Sequence, residues 1–245
     1  MAHYHLEVRC VSRRYGMSPA AKLSYQRGEK LRDNYFGRIH DYTHRRDVLW
    51  AEIILPLNAP TEYLDPQRFA DEVDAAEKRW DARTLREIIA SLPNELTVKE
   101  NIELIKDYIR ENFIEHGMGV CVAIHEGKNK NPEKNNPHAH ILLTIREVGP
   151  DGFSRKKSRD WDRRANVKAW REQWARLQNS YYERKGLDIR VSHENYIIQG
   201  KDREARKYLC RGDYEREQRG IRTIRGDENR EIENRNKERS RELIR

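Results

Sequence analysis

Two apolar runs that both carry histidine constrain the fold more than any other feature of the sequence. Residues 120–125 end in His125, and residues 138–145 begin with His138, Ala139 and His140. Both runs are apolar on both faces, which is typical of strands in the centre of a sheet. A loop rich in lysine, asparagine and proline joins them. The sequence therefore predicts two central strands with a histidine site at one end.

Alternating or apolar segments and proline breaks predict further strands over residues 4–11, 49–55 and 84–92, although the last segment also fits a helix. Helix starts are predicted by Ser18 as N-cap before Pro19, by Asp65 before Pro66 and by a capping box over residues 97–100, which begins with Thr97. The first helix runs from Ala20 to about Leu31, and the second begins at Pro66 and carries Phe69, Val73, Ala76 and Trp80. The third runs from Val98 through Phe113. The fourth carries Trp170, Trp174, Leu177 and Tyr181 and ends near Gly186. At this spacing, Trp170 and Trp174 are expected in the core rather than stacked on bases.

Composition limits the classes of protein that fit. Lysine and arginine exceed the acidic residues, for a formal charge of +8. Such a balance favours a polyanionic partner, although a basic protein with no nucleic-acid role fits it equally well. Three widely spaced cysteines give neither a disulfide framework nor a zinc motif, and Cys10 and Cys121 are expected to be buried thiols. No apolar stretch is long enough for a membrane span or a signal peptide, so we expect a cytoplasmic protein.

The histidines carry the first chemical prediction. In a strand, residues i and i+2 point the same way, so His138 and His140 project from one face about 6 to 7 Å apart. If residues 120–125 pair alongside, His125 supplies a third imidazole. Three imidazoles with open coordination positions are typical of a catalytic metal site. The alternative is ordinary histidines, but burying two unpartnered imidazoles on one apolar strand is costly.

Tyrosines near basic residues are candidate nucleophiles. Tyr25 lies near a helix end among Lys22, Arg27 and Lys30, where positive potential favours a phenolate. On the local sequence alone, a helical tyrosine that merely packs its ring is the more common case. Tyr42, in another basic stretch, is the rival.

An ordered set of motifs resembles the MobA/MobL family of plasmid mobilisation relaxases. The set comprises residues 3–6 (HYHL), 24–31 (SYQRGEKL), 40–43 (HDYT), 52–56 (EIILP), 86–88 (REI), 92–93 (LP), 136–142 (NPHAHIL) and 199–200 (QG). It spans roughly residues 2 to 200 in the expected order. The His-x-His strand occurs in other nucleases, whereas the ordered set is much more specific.

The resemblance implies a fold, and the change in composition from Lys201 onward indicates a domain division. We expect an α+β fold, with an antiparallel sheet of about five strands flanked by helices and the metal histidines on a central strand. Residues 1–200 would form the relaxase domain. Residues 201–245, rich in charges of both signs, would be a helical or disordered extension.

The resemblance also implies site residues. Tyr25 would be the nucleophile, and His125, His138 and His140 would bind a divalent metal, manganese or magnesium in function. Three imidazoles would also hold zinc, nickel or copper. Glu87 would orient a histidine or assist proton transfer, although it could instead be a surface carboxylate. One departure is a longer, more basic loop with Lys128, Lys130 and Lys134, which could add DNA contacts.

The activity implied is a nick in one strand at a plasmid origin of transfer. Tyr25 would become linked to the 5′-phosphate, and reversal would re-ligate the strand. Implied partners are single-stranded origin DNA, accessory relaxosome proteins and a type IV secretion coupling protein, with the protein itself a monomer.

Other functions remain open from the sequence. A rolling-circle replication initiator shares the histidine strand but generally has its nucleophile after that strand, for instance Tyr181 or Tyr182. A non-catalytic DNA-binding module would use the basic surface alone. A metal-dependent hydrolase using activated water would leave no covalent adduct.

Overall fold

The computed structural model describes residues 4–127 and 135–242. His3 of the first motif and the three loop lysines, Lys128, Lys130 and Lys134, lie outside the described residues. Any DNA contacts of that loop therefore stay a prediction.

The chain contains both strands and helices. The strands are β1 (Leu6–Ser12), β2 (Lys30–Asp33), β3 (Arg38–Asp41), β4 (Val48–Ile54), β5 (Arg83–Ser91), β6 (Met118–His125), β7 (His138–Gly149) and β8 (Gly152–Phe153). The helices are α1 (Pro19–Arg27), α2 (Pro66–Ala75), α3 (Val98–Asn112), α4 (Arg164–Arg184), α5 (Arg211–Gln218) and α6 (Ile224–Glu242).

Five of the strands form one antiparallel sheet in the order β1-β5-β7-β6-β4, and the short β8 pairs with β7 to make six. Strands β2 and β3 form a separate ribbon. The α+β class and the antiparallel sheet flanked by helices are thus confirmed. The two histidine strands lie side by side, with β7 at the centre of the sheet, as their apolar sequences predict.

The sheet is covered on both faces. On one face, α3 and α4 pack against alternate residues of β5, β6 and β7 in a large apolar core. On the other, α1 and α2 pack over a smaller cluster that includes Leu142 and Cys121. Since side chains alternate along a strand, His140 points to the same face as Leu142, towards α1 and α2.

Helix α1 is shorter than predicted. It begins as expected, with Ser18 as N-cap and Pro19 in the first turn. It ends at Arg27 because Gly28 adopts a left-handed conformation, with φ 67°, and its N–H bonds back to the Ser24 carbonyl. Lys30 and Leu31, predicted to continue the helix, begin β2 instead. Tyr25 consequently lies in the last turn of α1.

Two further expectations are wrong. Helix α2 ends at Ala75, so Trp80 lies beyond it and is 70% exposed, although its spacing matches the helix. Cys10 is exposed rather than buried, because it lies on the edge strand β1, whereas Cys121 in the inner strand β6 is buried. An apolar spacing or run does not by itself reveal which positions neighbouring elements will cover.

Contacts divide the chain into two units, Met1–Val191 and Ser192–Arg245. The first holds the sheet and α1 to α4, and the second holds α5 and α6. The predicted relaxase domain of residues 1–200, followed by an extension at 201–245, stays a prediction. Over the described ranges, no helix combines the length and the apolar character needed to cross a membrane.

Helix α4 contributes its tryptophans to the core, as expected. Trp174 is fully buried and packs edge-on against Tyr108 of α3, with ring centroids 5.0 Å apart. Trp170 packs in the same way against Phe113, just after α3. These contacts fix α3 and α4 to each other over the sheet.

Replacing Trp174 with alanine should lower the free energy of unfolding by about 3–5 kcal/mol, because a large buried ring is lost and a cavity remains. The exposed Trp80→Ala is the matched control and should change it by about 0.5 kcal/mol or less. Urea unfolding measures both. Equal effects of the two substitutions would contradict the assignment of Trp174 to the core.

Candidate metal centre and nucleophile

The three predicted histidines meet at one end of the β6–β7 pair. In the antiparallel register His125 lies opposite His138, and His140 lies two residues further along β7. Their ring centroids are 4.7 to 5.5 Å apart. One nitrogen from each ring lies within 4.8 Å of the others. The strand pairing thus brings together three imidazoles that are distant in sequence.

Hydrogen bonds assign a tautomer to each ring. His125 Nε2 is 2.6 Å from the Gln26 carbonyl, and His138 Nδ1 is 2.9 Å from the Asn136 carbonyl. His140 Nδ1 lies 3.2 Å from the Glu87 carboxylate. Oxygens of these kinds only accept, so those nitrogens carry the protons. The remaining nitrogens are Nδ1 of His125 and Nε2 of His138 and His140. Their lone pairs point away from these oxygens, and Nδ1 of His125 has a long contact with Arg45 Nη2 at 3.4 Å.

Burial keeps two of the imidazoles neutral. It lowers the pKa of His125 to about 4, against the opposing effect of the Gln26 hydrogen bond. Burial also lowers the pKa of His138. Neutral imidazoles are the form that binds a metal, and protonated neighbours would repel one another at this separation.

Glu87 lies directly behind the cluster on β5 and is 3% exposed. It accepts hydrogen bonds from His140, from Lys22 Nζ at 2.8 Å and from Gln26 Nε2 at 2.8 Å. Burial alone would raise the pKa of Glu87, but the His140 bond and the charge of Lys22 outweigh it and lower that pKa to about 2. A buried, ionised carboxylate on a ligand histidine is the usual arrangement around a bound metal.

Tyr25 lies next to the histidines. Its ring centroid is 6.2 Å from that of His125 and 6.5 Å from that of His140, and the residue is 41% exposed to solvent. The rival Tyr42 is also close, with its ring edge-on to Tyr25 at 5.3 Å. Tyr25 is therefore both accessible and adjacent to the cluster.

The positive charges around Tyr25 differ from those that the sequence indicates. Lys22, Arg27 and Lys30 pair with carboxylates of Glu87, Glu29 and Asp41 respectively. The cation over the Tyr25 ring is instead Arg45, 4.1 Å from the ring centroid. Lys22, Arg27 and Lys30 are close to Tyr25 in sequence, but their side chains bind other partners. Arg45 belongs instead to the segment that follows β3.

Sequence reasoning missed Gln26. Its backbone carbonyl accepts from His125 and its side chain donates to Glu87, so it connects α1 to both β6 and β5. No local signal distinguishes it, apart from its position next to Tyr25 in the last turn of α1. Carbonyls there lack helical partners and are free to accept other bonds.

The donor set fits a divalent cation. Three imidazoles with one nitrogen from each within 4.8 Å of the others, and with an oxygen beside a nitrogen of each ring, match known metal centres. Ligand nitrogens around a tetrahedral ion are about 3.4 Å apart at usual bond lengths, so small side-chain rotations from the present separations suffice. Three protein ligands leave positions for a substrate oxygen.

Comparisons with known proteins indicate the family of this chain. A model of the MobA/MobL family matches residues 17–219. The chain is 30% identical over 246 residues to "Probable mobilization protein MobA" of Bifidobacterium longum (strain NCC 2705), covering 83% of this chain and 42% of that protein. It is 32% identical over 237 residues to "Mobilization protein MobL" of Acidithiobacillus ferridurans, covering 85% of this chain and 62% of that protein.

A solved structure is similar as well. "Molecular Basis of Vancomycin Resistance Transfer in Staphylococcus aureus" superposes with a TM-score of 0.70 and 32% identity, covering 80% of this chain and 100% of that chain. The chain spans about half the length of the two mobilization proteins. The match to the family model covers most of the first unit of this chain. The fold, the motifs and the family match together place this chain in the MobA/MobL family.

Proposed function

We propose that the chain is a relaxase that nicks one DNA strand at a plasmid origin of transfer, with Tyr25 as nucleophile, during conjugative mobilisation. The observation that carries this proposal is the accessible Tyr25 ring about 6 Å from two rings of the three-histidine cluster. A phenol beside a cation site is suited to attack on a phosphodiester. The names of the relatives, mobilization proteins, agree with this role.

The reaction is a transesterification. The phenol oxygen of Tyr25 forms a bond to phosphorus, the bond from phosphorus to the 3′-oxygen breaks, and the phenol proton ends on that 3′-oxygen. One phosphodiester bond replaces another, so the step is nearly balanced in free energy and can reverse to re-ligate the strand. The product is a 5′-phosphotyrosine with a free 3′-hydroxyl.

Three residues, His125, His138 and His140, would hold the cation. A divalent ion there, manganese or magnesium, would polarise the scissile phosphate and offset the charge of the transition state. Glu87 keeps the proton of His140 on Nδ1, so Nε2 stays free to bind. The hydrogen bonds to the Gln26 and Asn136 carbonyls leave Nδ1 of His125 and Nε2 of His138 as the nitrogens that would bind the cation.

The proposed substrate is single-stranded origin DNA, which the net charge of +8 favours through contacts to phosphates. Accessory relaxosome proteins and a type IV coupling protein are proposed partners of the whole protein.

The rolling-circle alternative finds less support. Tyr181 and Tyr182 are both buried in α4. Tyr181 belongs to the core on the face of the sheet opposite the histidines, and Tyr182 belongs to a separate small cluster. Tyr181 donates its hydroxyl to Asp107, and burial raises its pKa to about 12. Burial raises the pKa of Tyr182 as well. Neither phenol is accessible for attack.

Tyr25→Phe should abolish covalent attachment to DNA, because only the attacking oxygen is removed. The full chain is incubated with Mn²⁺ and labelled single-stranded oligonucleotides that tile the DNA flanking its gene, and adducts are resolved on a denaturing gel. The neighbouring Tyr42→Phe is the matched control and should retain the adduct. An adduct that persists in Tyr25→Phe and disappears in Tyr42→Phe would transfer the role to Tyr42, and cleavage without any adduct would indicate a hydrolase.

His138→Ala should lower cleavage to background while DNA affinity changes by about twofold or less, since affinity comes mainly from lysine and arginine contacts to phosphates. The exposed His116→Ala serves as control and should cleave as wild type does. Gel assays measure cleavage, and fluorescence anisotropy measures affinity. DNA binding without nicking in wild type, whether or not the cation is chelated, would favour a binding module.

Glu87→Gln should weaken Mn²⁺ binding by about 10- to 100-fold, because a neutral amide orients His140 less well and makes it a poorer ligand. Isothermal titration of the protein with Mn²⁺ alone gives the affinity. Glu115→Gln, an exposed position after α3, should leave it unchanged. An unaltered affinity in Glu87→Gln would remove Glu87 from the site.

A further inference from the structure

We propose that Arg45 is a positioning residue that fixes the ring of Tyr25 beside the histidine cluster. This inference rests on the proposed function, since it assigns a role within the same site. The guanidinium carbon lies 4.1 Å from the centroid of the Tyr25 ring. Nη1 donates to the backbone carbonyl of Tyr25 at 2.7 Å. One cation thus contacts both the ring and the backbone of the nucleophile.

Asp47 fixes the plane of this guanidinium. Its carboxylate accepts from Arg45 Nε at 2.8 Å and also from Nη2. The backbone carbonyl of Asp47 accepts from the N–H of Glu126 at 2.7 Å, directly after β6. Arg45 is therefore held from the strand end that carries His125, and a bidentate arginine–carboxylate pair is a rigid support.

The guanidinium also reaches the cluster itself. Arg45 Nη2 is 3.4 Å from His125 Nδ1, a long and weak contact. The Arg45 side chain is 9% exposed, and its bonded nitrogens already serve Asp47 and Tyr25. A guanidinium that is largely covered and already hydrogen-bonded is suited to support a neighbouring ring. It is less suited to bind a phosphate in solvent.

Tyr25 needs such a support. The residue is 41% exposed and lies at the last turn of α1, and its ring meets Tyr42, His125 and His140 edge-on. A planar cation over the ring face attracts the electron-rich face and favours one rotamer of the ring. Attack on phosphorus demands close alignment, and a displacement of about 1 Å can cost about 100-fold in rate.

Two readouts on the full chain test the proposal. The first is single-turnover cleavage with Mn²⁺ at saturating oligonucleotide, together with DNA affinity over a salt series.

Arg45→Gln should slow cleavage by about 100-fold. Arg45→Lys should recover part of the rate, to about tenfold below wild type, because lysine keeps the charge but lacks the planar stack. The affinity and its salt dependence should stay unchanged. The exposed neighbour Arg46→Gln is the control and should cleave as wild type does.

The second readout does not depend on activity. In protein labelled with ¹³C-tyrosine, the Tyr25 ring signals are assigned by their loss in Tyr25→Phe. They should move towards free-tyrosine values in Arg45→Gln and stay in place in Arg46→Gln, with thermal melting of Arg45→Gln close to wild type. Unmoved ring signals in Arg45→Gln would overturn the proposal. A second result would also overturn it: Arg45→Gln that cleaves at the wild-type rate at saturation but binds DNA more weakly and with a smaller salt dependence. That result would make Arg45 a phosphate contact.

The same data separate this inference from the proposed function. Moved ring signals in Arg45→Gln, with no adduct formed by wild type on any oligonucleotide, would uphold the positioning role and reject the nicking activity. An adduct that depends on Tyr25, with ring signals and rate unaffected by Arg45→Gln, would uphold the activity and reject the positioning role.

Discussion

The antiparallel pairing of β6 with β7 is the constraint on which the site depends. It sets His125 opposite His138 and leaves His140 on the same face. A slip of one residue would turn the β7 histidines towards α3 and α4 instead. Every residue of β6 is buried, so the apolar core on both faces specifies this register strongly. The packing that forms the core therefore also brings the three histidines together.

Helix α1 completes the site through polar contacts rather than apolar ones alone. It carries Tyr25, and its neighbours Lys22 and Gln26 donate to the buried Glu87. An ionised carboxylate in the protein interior is costly unless several donors surround it. Glu87 has three such donors, one from His140 and two from α1. The partners that stabilise the charge also set α1 at a fixed height above the histidines.

Much of this arrangement is predictable from local pattern. The histidine strands, the N-cap at Ser18, the capping box at Thr97 and the buried tryptophans of α4 follow from spacing and residue type. The errors share one cause. The length of α1, the exposure of Trp80 and that of Cys10 depend on where a left-handed glycine stops a helix and on what neighbouring elements cover.

The sequence by itself determined two kinds of groups at the site, three imidazoles on apolar strands and a tyrosine near a helix end, and the family resemblance added the carboxylate of Glu87. Period-2 and period-3.6 patterns are local, and they report which side chains share a face. Only the tertiary structure decided which cation accompanies Tyr25. Lys22, close in sequence, pairs with Glu87, and Arg45, 20 residues away, contacts the ring. Coulombic and stacking contacts depend on distance in space, and chain separation does not encode that distance.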